Sequence, residues 1–98
     1  MASGYRNSYR GSFIGTAATL DLTVVGFRPR TVHLFSRAGD VATWQETMPD
    51  AAMRKTTAAG VGSYVTTLGV TPLANGFRLG ADTDLNVASE VVDFEALD

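Results

Sequence analysis

The 98-residue chain contains no cysteine, so neither a disulfide framework nor thiol chemistry is open to it, and its stability must come from packing or association. It has a single histidine, His33, which leaves no second imidazole and no thiolate to complete a tetrahedral zinc site. A hydrolytic site needs a nucleophile, a base and an orienting group that converge. His33 stands alone in an expected strand, alternating away from Val32 and Leu34, and reads as a surface or partly covered residue. No apolar run approaches the ~20 residues of a bilayer-crossing helix. Charged residues make up 18 % of the chain and the net charge is −2, which gives no basic footprint for nucleic acid. Gly60-Val61-Gly62 lacks the third glycine, the lysine and the following helix of a phosphate loop. The first residues, Met1-Ala2-Ser3-Gly4-Tyr5-Arg6, carry no apolar signal region, so the expectation is a protein made in a cytoplasm that stays soluble until assembled. No enzymatic activity and no cofactor is expected.

The residues that are present alternate with a period of two. Leu20, Leu22 and Val24 alternate with Thr19, Asp21 and Thr23, and Val32 and Leu34, with Phe35 as a further inward candidate, mark a strand over Thr31 to Arg37. Val41 to Thr47 reads as its return across the Ala38-Gly39-Asp40 loop, and Ser63 to Thr67 as a further strand after a bend at Gly60 and Gly62. Asn75-Gly76 marks a hairpin turn before Phe77 and Leu79, and the last strand places Val92, Phe94 and Ala96 on one face with Val91, Asp93 and Glu95 on the other. Ala51 to Lys55 is helix-prone but too short for a helix, and reads as a crossing loop. Seven short strands with Gly, Pro and Asx turns between them predict an all-β domain, a small antiparallel β-sandwich of jelly-roll or immunoglobulin-like type over residues 12–98. One core is the limit for a chain this short.

Residues 1–11 read as an extended N-terminal arm with two Tyr-Arg pairs, Tyr5-Arg6 and Tyr9-Arg10. Tyrosine and arginine are enriched at interface anchors, because each joins apolar area to a polar tip. The arm carries bases and no acid, whereas residues 81–98 carry acids and no base, so the two ends are complementary within or between subunits. Asp82-x-Asp84-x-Asn86 has carboxylates at alternate positions, as calcium loops do, with Asp93 at the last-ligand spacing. Val87 stands where such a loop needs glycine, and no flanking helix is expected, so the motif reads first as side-chain caps on a turn. Trp44 reads as core or subunit contact, with stacking on a sugar as the functional alternative.

Three turn motifs in order, Gly26-Phe27-Arg28-Pro29, Gly76-Phe77-Arg78-Leu79-Gly80 and Asp82-Thr83-Asp84-Leu85-Asn86 before the final strand, resemble a pattern in small tailed-phage virion proteins. The resemblance spans roughly residues 11–97. It implies a structural or binding protein of the particle, without specifying a surface. A single compact domain with an extended arm makes the leading expectation a capsid decoration, or cement, protein on the outer surface of the virion, bound to the major capsid protein and associated as a homotrimer, with no nucleic-acid or membrane partner. Candidate contacts are Tyr5, Arg6, Tyr9 and Arg10, then Arg28 and Arg30. The alternative is a receptor- or carbohydrate-binding module of a tail tip or fibre, with Trp44 as the probe.

Overall fold

Residues 7–98 are described by the structure, a computed structural model. They form eight strands and no helix: β1 (Ser8–Ile14), β2 (Leu20–Leu22), β3 (Thr31–Ser36), β4 (Val41–Gln45), β5 (Ala52–Thr56), β6 (Gly62–Leu73), β7 (Gly76–Leu79) and β8 (Val91–Leu97). All pair antiparallel in a single sheet of order β1-β8-β3-β4-β5-β6-β7-β2. The expected all-β class is therefore the one the chain adopts, with its two layers supplied by opposite halves of one sheet curled into a half-barrel.

Connectivity forces the curl. β1 and β2 sit at opposite ends of the strand order yet are joined by only residues 15–19, so the sheet must bend until its ends approach. Phe77 of β7 and Phe94 of β8, from the two ends, meet edge to face with ring centroids 5.3 Å apart, a favoured aromatic geometry. The period-two pattern sets which side faces the core. Phe13, Val32, Leu34, Ala42, Trp44, Met53, Val70, Leu79, Val92 and Ala96 are buried in one cluster, while their strand neighbours point outward.

Three features differ from the sequence reading. Ala52–Thr56 is a strand, paired with β4 and β6, where a crossing loop was expected. Its local propensity is helical, but its neighbours supply ladders on both sides, and Met53 and Lys55 turn inward while Arg54 turns out. Phe35 is outside, at 46 % exposure, because Leu34 and Ser36 take the inward positions. Ser8–Gly11 of the expected arm belong to β1, in register with Leu97 to Phe94 of β8. Tyr5 and Arg6 lie outside the described residues.

Sheet bending is concentrated in β6. Its first part pairs with Met53–Thr56 and its last part with β7, and between Met53↔Val65 and Ala52↔Val70 the register jumps across a bulge at residues 66–69. Leu68 and Ala51 hold positive φ of 61° and 67° there. A side chain on Gly69 would strike the carbonyls of Ala51 and Ala52, so the bulge needs glycine for close approach. Gly76, of the expected Asn-Gly turn, does form the β6–β7 hairpin. Its φ is not positive; glycine is required because a Cβ would collide with the carbonyl oxygen of Leu22.

Candidate functional site

The outward face of β1, β8, β3, β4, β5 and β6 is a ruled surface whose rows follow from register. One row runs Arg10, Glu95, His33, Thr43, Arg54, Tyr64; the next runs Ser12, Asp93, Phe35, Val41, Thr56. Beyond it, Ile14 pairs with Val91. The face thus divides into a polar half and an apolar half. Ile14, Phe35 and Val41 are 62 %, 46 % and 40 % exposed, and Val61, also exposed, follows at the tip of the β5–β6 hairpin at that same end.

Two ion pairs lie on this face, one in the polar row and one within the apolar half. Arg10 Nε donates to Glu95 Oε2 at 2.7 Å, and Arg37 reaches both carboxylate oxygens of Asp93 at 3.1 Å in a two-pronged contact. The Arg37 hydrogen bonds hold the Asp93 carboxyl below the usual carboxylate range, and Asp93 in turn raises the Arg37 guanidinium. Both pairs are solvent-exposed, where screening by water leaves an ion pair little net stabilisation. Asp93 stands in the row of Phe35 and Val41, so its pair with Arg37 lies between Ile14 and Phe35, within the apolar half.

The sequence-derived contact residues separate into three places. Tyr9 turns inward, its ring stacked on Phe94 at 5.8 Å, and packs against the core. Arg10 is on the outer face, already joined to Glu95 within the same chain; here the complementarity of the two chain ends is intramolecular. Arg28 and Arg30 flank buried Pro29 at one end of the half-barrel and line a cleft of about 470 Å³ with Met48, Asp50 and Pro72. Arg30 Nε lies 3.8 Å from both Glu46 and Asp98, and Arg28 donates to the Pro72 carbonyl at 3.5 Å. Trp44 adjoins this cleft but is 2 % exposed, its indole N–H donating to the Pro49 carbonyl; a ring so covered is core and offers no face to a sugar. Phe35, Val41 and Arg54 went unnoticed as site residues in the sequence, although the consecutive Leu34-Phe35 pair required one of the two to face out.

The Asp82-x-Asp84-x-Asn86 turn is a structural knot. Asp82 Oδ1 accepts the backbone N–H groups of Asp84 and Leu85 at 2.8 and 3.0 Å, the capping role expected of Asx residues. Lys55 Nζ sits 2.8 Å from both Asp82 and Asp84, so the cation this turn holds is an ammonium from β5. Burial works to lower the Lys55 pKa, but the hydrogen bonds from its ammonium to the two carboxylates outweigh it and hold the pKa above the ordinary lysine value. Buried Asn86 closes the half-barrel: its Oδ1 accepts Thr16 N–H at 2.8 Å, and its Nδ2 donates to the carbonyls of Ala18 at 2.6 Å and Gly80 at 3.0 Å. Gly80 N–H donates to the Gly69 carbonyl and Gly69 N–H to that of Ala51, so one hydrogen-bonded seam ties the β1–β2 link to the β6 bulge.

No protein-family model, no curated protein and no solved structure matches the chain.

Proposed function

We propose that the chain is a non-enzymatic docking module that binds a larger assembly through the apolar half of its outer sheet face. The observation that supports this reading is the strip formed by Ile14, Phe35 and Val41. An antiparallel sheet with one wet face ordinarily carries polar residues there, and exposed apolar residues interspersed with charged ones on a sheet face are the kind of surface that protein partners cover. The rigid sheet holds these side chains in place before binding, which lowers the ordering cost of association.

The setting proposed is the outer capsid surface of a tailed phage, where the chain would act as a decoration protein on the major capsid protein, in trimers. This part of the reading rests on the order of the three turn motifs. Binding across capsid subunits would stabilise the shell by mass action, without chemistry. Arg28 and Arg30, at the end of the half-barrel, are the second contact proposed.

The test is a double variant, Phe35→Ser with Val41→Thr, added to capsids stripped of the protein and assayed by co-sedimentation. Both positions are exposed, so the fold is expected to persist. A fall in bound protein of tenfold or more is the expected result; unchanged occupancy would overturn the docking role of this face.

A further inference from the structure

The polar half of the outer face contains a pocket of about 410 Å³ lined by His33, Thr43, Gln45, Met48 and Arg54. We infer that it is a binding site for a carboxylate, with Arg54 as the principal donor and His33 as the second. This inference is independent of what docks on the apolar strip.

The charge arrangement carries the argument. Arg10, Arg30, Arg37 and Arg78 each have a carboxylate partner within 4 Å, and Arg28 donates to a backbone carbonyl. Among the described residues Arg54 has no carboxylate partner and makes no side-chain hydrogen bond, although it projects from the middle of a strand on a crowded face. Glu95, the one acid in its row, is occupied by Arg10 at 2.7 Å, and none of the residues that line the pocket is acidic. A guanidinium presents its donors in a planar fork that matches a carboxylate.

Register brings the donors together. Arg54, Thr43 and His33 are consecutive cross-strand partners on β5, β4 and β3, so their side chains leave the same face at steps of about 4.8 Å. His33 Nδ1 is held 3.1 Å from Thr43 Oγ1. When that hydroxyl donates to Nδ1, the neutral ring carries its proton on Nε2 and becomes a donor. An anion between Arg54 and His33 selects this tautomer, so the Thr43 contact orients the second donor. Gln45 adds an amide, and Met48 gives the pocket one apolar wall suited to the methylene of an acidic side chain.

Because the chain has one histidine, its ring resonances give an unambiguous NMR reporter. The protein is titrated at constant ionic strength with sodium acetate, with a capped Glu-Glu peptide, and with its Gln-Gln counterpart and inorganic phosphate as comparisons. Saturable shifts of the His33 ring and the Arg54 Nε–H are expected with the acidic peptide, at least tenfold weakened in Arg54→Gln and weakened in His33→Gln. The backbone amide spectrum of each variant checks that the fold is intact. Saturation by acetate as well assigns the free carboxylate as the recognised group; saturation by the peptide alone assigns a side-chain carboxylate; either supports the site. Equal shifts in Arg54→Gln, equal response to the Gln-Gln peptide, or saturation by phosphate only would overturn it.

Discussion

Replacing Asn86 with aspartate changes one NH₂ group into an oxygen and barely alters shape, so its effect isolates hydrogen bonding at the seam that closes the half-barrel. The Oδ1 contact to Thr16 N–H survives, but the two bonds from Nδ2 to the Ala18 and Gly80 carbonyls are lost. Each is worth about 1 kcal/mol net. In their place a carboxylate oxygen faces two carbonyl oxygens inside the protein, with the ammonium of Lys55 already held by Asp82 and Asp84, which adds roughly 1–3 kcal/mol. The expected loss is about 3–5 kcal/mol at pH 7, a large part of the roughly 5–15 kcal/mol available to a domain of this kind. Urea unfolding followed by the fluorescence of Trp44, the single tryptophan and a buried one, measures it.

The pH dependence of that difference has a definite sign. The introduced carboxyl is harder to ionise in the folded state, so its folded pKa lies above the unfolded value of about 3.9. As pH rises past the unfolded value, the unfolded chain releases its proton first, and stability relative to wild type falls until the folded carboxyl ionises. The gap between variant and wild type is therefore smaller at pH 3 than at pH 7. Asn86→Ala, which loses all three bonds without adding charge, should show no such trend. A loss below about 1 kcal/mol with no dependence on pH would refute the reasoning about the seam.

Lys55→Met leaves Asp82 and Asp84 without their cation and is expected to cost about 3 kcal/mol at neutral pH by chemical denaturation. The raised pKa of Lys55 contributes stability that is complete below its unfolded value of about 10.4 and is lost as pH rises through the folded value; wild type should lose stability above that pH more steeply than the variant. Gly76→Ala puts a methyl into the Leu22 carbonyl and should destabilise by about 3 kcal/mol or more, read as a drop in thermal midpoint. Removing residues 1–6 leaves every β1–β8 pair in place, so circular dichroism should be unchanged, while capsid occupancy should fall if Tyr5 and Arg6 make the contacts proposed for them.

The parts of the fold legible in the sequence are those where one residue pattern had one meaning. Val32/Leu34 and Val92/Phe94/Ala96 alternate cleanly and are buried as read. β5 was hidden because Ala-Met-Arg-Lys favours a helix locally and becomes a strand only through ladders to β4 and β6, the strands before and after it, which lie outside the five-residue segment itself. The inward turn of Tyr9 follows from the pairing of β1 with β8 across the whole chain, which no local window contains. The acidic turn displayed its capping role in its spacing, but its cation could not be named, since Lys55 arrives from a strand 27 residues away. The paired rows of the outer face, and the pocket between His33 and Arg54, are products of register and so became visible only with the strand order.

Copy number per purified particle, measured by quantitative mass spectrometry against the major capsid subunit, tests the proposed docking role most directly. About one copy per capsid subunit, or one trimer per threefold junction, is expected, with occupancy lost in the Phe35→Ser, Val41→Thr variant. Absence from purified particles, or a few copies confined to the tail, would contradict it.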